Sequence, residues 1–145
     1  MPRSKIFLPD VNVWLALASR KHAHYVRAAA WMEGVGEQEA AICRVTQMGL
    51  LRLLTNRQVM GADAVNLTEA WSVYDRISAD PRVHFLSEPP GLEAAWRQAT
   101  RETGSSSNVW MDAYLQAFAS LKELRIVSFD RGFRRFREPE ALILE

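Results

Sequence analysis

Three aspartates stand far apart in the chain, each at a position where an α/β fold places its chemistry. Asp10 follows the short apolar run 6–9, Asp130 follows the strand-like run 125–129, and Asp112 lies near the start of a helical pattern over 108–119. Ligands of parallel sheets bind beyond the carboxyl ends of the strands. If these elements are neighbours, three carboxylates meet in one crevice.

Such a cluster of like charges is costly. At an effective dielectric near 20, two unit charges about 4 Å apart repel by roughly 4 kcal/mol. A hard divalent cation with oxygen ligands relieves this repulsion, Mg²⁺ in the first place and Mn²⁺ as its substitute. The pattern therefore predicts a metal site formed by Asp10, Asp112 and Asp130, and phosphoryl chemistry at that site.

Each aspartate alone also has a purely structural interpretation. Asp10 could cap a helix, Asp112 could be a first-turn acid, and Asp130 precedes a glycine turn. We favour the shared crevice because it explains all three positions at once.

Polar and basic residues close to these acids are candidates for positioning water and substrate. Asn12 lies two residues after Asp10, and Asn108 lies four residues before Asp112 on the same helical face. Arg44 directly precedes the helical pattern 45–55, and Arg52 lies inside it. Both arginines could hold phosphates.

Residues 131–137 contain four arginines and two phenylalanines. The run could grip phosphates or stack unpaired bases, and Arg131 is its candidate substrate ligand. A solvated face is favoured for the run as a whole, because Glu138 and Glu140 follow and balance its charge.

The histidines indicate a metal site less strongly than the three aspartates do. His22 and His24 could ligate a transition metal, but no cysteine or second histidine pair supports them. We therefore predict that His22, His24 and His84 are surface or packing residues.

Apolar runs and helical patterns alternate along the chain. Strands are predicted at 6–8, 40–43, 83–86, 126–129 and 141–144, helices at 11–18, 24–32, 45–55, 67–77, 92–102 and 108–123, and loops at 56–66 and 104–107. This order predicts right-handed βαβ units. The expected fold is one three-layer α/β domain over 1–145, a mostly parallel sheet with helices on both faces.

Composition and missing motifs argue against an exported protein, a membrane-spanning protein and the common nucleotide-binding folds. The chain has 145 residues, 18 Lys and Arg against 17 Asp and Glu, and a single cysteine. Cys43 cannot form an internal disulfide, which suits the cytoplasm. A charge interrupts the apolar stretch after residue 10, which argues against a signal peptide, and no run reaches a membrane span. The glycine-rich phosphate loops and the Gly-x-Ser-x-Gly elbow are missing.

Four stretches, 8–18, 43–56, 108–119 and 128–133, together resemble PIN-domain ribonucleases, and specifically VapC-type toxins of bacterial toxin–antitoxin pairs. The resemblance covers nearly the whole chain. It implies a PIN-like fold, an acidic pocket that binds Mg²⁺ or Mn²⁺, and metal-dependent cleavage of RNA. It also implies a homodimer and a small antitoxin whose C-terminal tail blocks the pocket.

By this resemblance the first, third and fourth family acids are Asp10, Asp112 and Asp130. The second family acid, usually a glutamate, falls at Gln47, which we expect to act with Thr46 in positioning water and substrate. A neutral amide can hydrogen-bond a metal-bound water or Asp10, but it removes one negative charge. Whether the site holds one metal ion or two therefore stays open.

Two alternatives compete with a metal-dependent endoribonuclease. A degenerate PIN module could bind RNA or a partner protein after losing the second acid. An aspartate-nucleophile phosphatase would need a second aspartate at Asn12 and a lysine on a later loop. The only lysine after Lys21 is Lys122, inside a predicted helix, so the phosphatase is disfavoured.

Overall fold

The computed structural model describes residues 6–101, 106–137 and 139–145. The strands in these ranges are β1 (Phe7–Pro9), β2 (Ala40–Ile42), β3 (Val83–Phe85), β4 (Arg125–Ser128) and β5 (Leu142–Ile143). The helices are α1 (Val11–Ala18), α2 (Tyr25–Glu33), α3 (Arg44–Leu54), α4 (Arg57–Met60), α5 (Leu67–Ser78), α6 (Leu92–Arg101) and α7 (Val109–Lys122). Short 3₁₀ turns occupy Gly61–Asp63 and Arg131–Arg135.

The five strands form one parallel sheet in the order β3-β2-β1-β4-β5. β1 lies at the centre, between β2 and β4. Its register pairs Pro9 with Val127 of β4. The next residues, Asp10 and Ser128, therefore lie side by side at the carboxyl end of the sheet.

Helices cover both faces of this sheet, and successive strand residues alternate between two cores. Leu8 and Ile126 pack into a cluster with α6 and α7. Phe7 and Val127, their neighbours in the chain, face the opposite side, where α1 and α2 contribute. The three-layer α/β fold expected from the alternating pattern is confirmed.

Helix α3 packs closely on α1 because its contact residue has no side chain. A Cβ added at Gly49 would lie 2.6 Å from a methyl carbon of Val11. Val11 directly follows Asp10, so this contact fixes the distance between α3 and the first predicted acid. The glycine thus serves a close approach of two helices inside one site.

Most predicted elements agree with the structure to within one or two residues, and residues 56–66 are the main exception. The predicted loop contains α4 and a 3₁₀ turn. Asn56 accepts a hydrogen bond from the amide of Gln58 at 2.9 Å and so caps α4. The helix was missed because four residues are too few to show an apolar period.

Parts of two predictions lie outside the described residues, namely the end of the helix 92–102 and the first half of the loop 104–107. The last predicted strand is shorter than expected, since β5 contains only Leu142 and Ile143. None of the described helices is both long and apolar enough to cross a membrane.

Candidate metal centre at the carboxyl end of the sheet

Asp10 is held between the start of α1 and the end of β4. Its backbone amide donates to the carbonyl of Val127 at 2.8 Å, and its Oδ1 accepts from the amide of Val11 at 2.7 Å. Its Oδ2 accepts from the hydroxyl of Ser128 at 2.9 Å. Asp10 therefore caps α1, as its structural interpretation predicts, and keeps its carboxylate at the sheet edge.

Ser128 connects the other polar groups of this edge. Its fully buried hydroxyl accepts from Nδ2 of Asn12 at 3.2 Å and from the amide of Asp130 at 2.9 Å. Oδ1 of Asn12 in turn accepts from the amide of Phe129 at 3.3 Å. One hydroxyl thus fixes Asp10, Asn12 and the turn that carries Asp130.

Asp130 begins the 3₁₀ turn after β4. Its Oδ1 accepts from the amide of Gly132 at 2.7 Å, which is the turn chemistry that its structural interpretation predicts. The side chain is exposed. Capping therefore does not bury this carboxylate, and one face of it stays open to solvent.

Burial and neighbouring carboxylates raise the pKa of two of the three aspartates. Burial, followed by the charges of Asp10 and Asp130, raises the pKa of Asp112 to about 6, and Arg135 acts in the opposite direction. Burial also raises the pKa of Asp10, with a smaller contribution from the charge of Asp130. The elements β1, β4 and α7 thus bring the three predicted acids into one electrostatic cluster.

No arginine or lysine within the described ranges forms an ion pair with any of these three carboxylates. In the same residues, no three His, Cys, Asp or Glu side chains are already arranged to hold a metal ion. The donor set of carboxylate oxygens nevertheless fits a hard cation. Mg²⁺ keeps several of its waters, so it does not need all three aspartates as direct ligands.

Gln47 stands at the position of the expected second acid and has its side-chain oxygen bonded to an arginine. This buried side chain accepts a hydrogen bond from Nη1 of Arg44 at 2.5 Å. The guanidinium of Arg44 also lies over the ring of Phe85, 4.8 Å from its centroid. Arg44 is therefore fixed at the carboxyl ends of β2 and β3, where it could contact a phosphate.

The substrate contact predicted for Thr46 does not agree with the structure. Thr46 is fully buried, and its hydroxyl bonds both the amide and the carbonyl of Cys43 at 3.0 Å. It belongs to the capping box of α3. A hydroxyl used on both sides by the backbone is not available to RNA, so Thr46 stabilises the helix that carries Gln47.

Asn108 and Arg131 are both exposed. Asn108 directly precedes α7, and its side chain makes no capping hydrogen bond. The guanidinium of Arg131 lies 3.5 Å from Oε1 of Glu145, which Arg134 also contacts at 3.1 Å. Glu145 is thus an acid that balances part of the arginine run. Of the two acids to which the sequence pointed, Glu140 forms none of the ion pairs of the described residues, and Glu138 lies outside those residues.

Reasoning from sequence missed two residues of this site, Ser128 and Arg135. A serine at the end of an otherwise apolar strand, two residues before Asp130, was the available signal for Ser128. Arg135 is the basic group that offsets the raised pKa of Asp112. Nothing local distinguishes it from the other arginines of its run.

A groove of about 450 Å³ lies between α1, α2 and α5. A second of about 460 Å³ lies between α6 and α7. None of the predicted site residues lines either groove.

Comparison with known proteins agrees with this geometry. The PIN domain family matches residues 7–139. Ribonuclease VapC41 of Mycobacterium tuberculosis is 39% identical over 96% of this chain and 99% of its own. The crystal structure of VapC20 from Mycobacterium tuberculosis, described as a sarcin–ricin loop cleaving toxin, superposes with a TM-score of 0.70 at 16% identity, over 96% and 99% of the two chains.

A structure of VapBC2 from Rickettsia felis, bound to a DNA fragment from its promoter, has a TM-score of 0.65 at 12% identity and covers 95% of this chain and 96% of its own. The protein belongs to the PIN-domain family. Within that family it is a VapC-type toxin, as the four sequence stretches implied.

Proposed function

We propose that this protein is a Mg²⁺-dependent endoribonuclease, with Mn²⁺ as a substitute metal. The observation that carries the proposal is the cluster of Asp10, Asp112 and Asp130, in which burial and neighbouring carboxylates raise the pKa of Asp112 and of Asp10. None of the three carboxylates has a basic ion-pair partner among the described residues. A cation supplies the missing positive charge. The ribonucleases among its relatives support RNA as the substrate.

In this proposal Asp10 and Asp112 hold the metal, and Asp130 holds it directly or through water. A bound divalent ion lowers the pKa of a water and stabilises charge on the phosphate. Ser128 fixes the orientation of Asp10 through its hydroxyl, and Asn12 holds Ser128 in turn. Such partners of metal ligands tune affinity and orientation.

Basic and polar side chains around the cluster bind the substrate in this proposal. Arg44 and Arg131, on opposite sides of the aspartates, bind backbone phosphates, and Asn108 orients the substrate beside α7. Phosphate contacts of this kind position the RNA without reading its sequence.

A degenerate PIN module that binds RNA without cutting it is the second candidate. The observation in its favour is Gln47, a neutral residue at the position of a family acid, with its oxygen already bonded to Arg44. Both candidates bind RNA, so cleavage separates them.

The proposal includes a small antitoxin as partner, a homodimer, and a cytoplasmic location. The VapC-type family supports the antitoxin, and an antitoxin tail would cover the acidic edge. A homodimer would bury exposed apolar side chains of α3, α4 and α5, namely Met48, Val59, Leu67 and Trp71. A small neighbouring gene that encodes a DNA-binding antitoxin would support the antitoxin partner. Light scattering of the purified protein tests the homodimer.

The test of activity uses purified protein and labelled single-stranded RNA, with EDTA, Mg²⁺ or Mn²⁺. We expect cleavage only with metal, and a loss of at least about 100-fold in Asp10→Asn or Asp112→Asn. Asp75→Asn, an exposed carboxylate on α5, is the matched control. Full activity in either site variant would refute the site, and cleavage in EDTA would refute the metal. RNA binding without cleavage under every condition would favour the second candidate.

A further inference from the structure

An aromatic pair adjoins the acidic edge. The imidazole of His24 stacks on the ring of Phe129, with centroids 4.5 Å apart and planes inclined by 23°. Phe129 lies between Ser128 and Asp130, and its amide is bonded to Asn12. The pair is therefore connected directly to the hydrogen-bond network that orients the proposed metal ligands.

The backbone on both sides of this pair is fixed. The amide of His24 donates to Nδ1 of His22, and its carbonyl accepts from the amide of Ala28, both at 3.0 Å. Ala28 is fully buried in the cluster against which Phe129 packs. These hydrogen bonds fix the backbone from which the imidazole of His24 projects.

His24 is exposed although one face of its ring is covered by Phe129. The ring of His22 is the other aromatic neighbour, with its centroid 5.8 Å from that of His24 and its plane tilted by 43°, so it is not stacked flat on the imidazole, and the exposed part of His24 lies away from Phe129. Flat rings with one open face, beside cationic side chains, are the feature on which single-stranded nucleic acids stack their bases.

Cationic groups lie close in the chain. Arg131 follows Phe129 by two residues, and Arg131 and Arg134 share Oε1 of Glu145 through exposed contacts of 3.5 and 3.1 Å. Exposed ion pairs contribute about 1 kcal/mol or less, so an RNA phosphate can replace Glu145 at low cost. One RNA segment could therefore stack a base on His24 and place a phosphate against Arg131 or Arg134.

We propose that the open face of His24, supported by Phe129, is a stacking surface for one nucleobase of single-stranded RNA beside the acidic edge. The inference rests on the proposed function, since it assumes an RNA substrate. His24 would be a substrate-positioning residue. It would set which nucleotide lies next to the cleaved bond, without taking part in the cleavage itself.

The test measures the affinity of a short single-stranded RNA that carries 2-aminopurine at successive positions, in the Asp112→Asn background so that the RNA stays intact. Three further changes are compared, His24→Ala, His24→Leu and His24→Tyr. Leucine covers Phe129 without an aromatic face, and tyrosine restores that face. His84→Ala, on β3 and three strands from β4, is the control.

We expect His24→Ala and His24→Leu to weaken binding at least about fivefold, as loss of one base–aromatic stack does. Both should also remove the fluorescence quenching at one 2-aminopurine position. His24→Tyr should retain both signals, and His84→Ala should match the parent.

Equal affinity of the leucine and tyrosine variants would overturn the inference, because His24 would then only cover Phe129. Equal affinity of His24→Ala and the parent would overturn it as well. Failure of the parent to bind RNA, together with a wild type that cuts none, would instead refute the proposed function on which the inference rests. Thermal unfolding of each variant identifies any loss that arises from misfolding.

Discussion

The two sides of the acidic edge are built differently. On the side of β1 and β4, Asp10, Asn12 and Asp130 are joined through the buried hydroxyl of Ser128. On the side of α3, the corresponding polar residue is neutral, and Gln47 is bonded to Arg44. The first side presents negative charge in a fixed orientation, and the second presents a cation.

This difference indicates how one sheet edge can serve both a metal and a polyanion. Carboxylates whose repulsion is offset only in part by a basic group, here Arg135, attract a divalent ion. An arginine held by an amide and an aromatic ring keeps its charge free for a phosphate. Changes that disrupt one side should therefore affect metal binding and RNA binding unequally.

Among changes outside the three aspartates, the largest effect is expected from Ser128→Ala, which removes the centre of the β1–β4 network. We expect metal affinity and cleavage to fall about 10- to 100-fold, as they do when a partner of a metal ligand is lost. RNA affinity in EDTA should change little. Calorimetric titration with Mn²⁺ and an RNA-cleavage assay measure the two effects.

Ser72→Ala, an exposed serine that bonds only its own helix, is the control. If Ser128→Ala binds Mn²⁺ as tightly as the wild type, the network does not orient the metal ligands. If RNA affinity falls as strongly as metal affinity, the two sides are not independent.

The contact between the two sides is tested by Gly49→Ala. The new methyl group would lie 2.6 Å from the side chain of Val11, next to Asp10. We expect the free energy of unfolding to fall by about 1–3 kcal/mol, because overpacking a tight contact costs that much. Urea denaturation measures it.

Gly34→Ala serves as its control, since there the nearest atom to the added Cβ is a carbonyl at 3.6 Å, an ordinary contact. That variant should be unchanged or slightly more stable. Equal stability of Gly49→Ala and the wild type would mean that α1 and α3 can separate without cost.

The pKa of Asp112 predicts a pH effect on stability. Its value of about 6 lies above the ordinary 3.8. Between these two pH values the folded protein therefore binds more protons than the unfolded chain does. The resulting stability is fully present below about pH 3.8 and is lost as pH rises through 6. In EDTA at pH 7, Asp112→Asn should be about 1 kcal/mol more stable than the wild type, allowing for solvent screening.

This difference should vanish near pH 4, and thermal unfolding across the pH range would show it. Asp75→Asn, at an exposed carboxylate on α5, is the control variant. A stability gain of Asp112→Asn that is equally large at pH 4 and pH 7 would not come from the repulsion among the aspartates.

The smallest effect is expected from Gln47→Glu. Arg44 would pair with the new carboxylate, so Mn²⁺ affinity should rise about threefold or less. In the Arg44→Ala background the carboxylate would be unpaired, and the same change should raise affinity about tenfold. Calorimetric titration of the four proteins measures this coupling, and no change in either background would place Gln47 outside the metal site.

The sheet and its helices could be predicted because their signals are local. Apolar runs such as residues 40–43 and the wide apolar face of α3 are visible in a short window. The positions of Asp10 and Asp130 after strands were equally visible. The predicted role of Thr46 was wrong because the sequence does not show that its hydroxyl would be used by Cys43.

The sequence by itself determined the alternating strands and helices, the acids at the strand ends and the neutral Gln47. Only the tertiary structure decided that Ser128 connects Asp10 to Asn12, that His24 covers Phe129, and that Glu145 meets Arg131 and Arg134. The hydrogen bond from Ser128 to Asp10 joins residues 118 positions apart. Contacts at such separations depend on strand order and register, and these are set by the packing of the whole sheet and leave no periodic pattern in the chain.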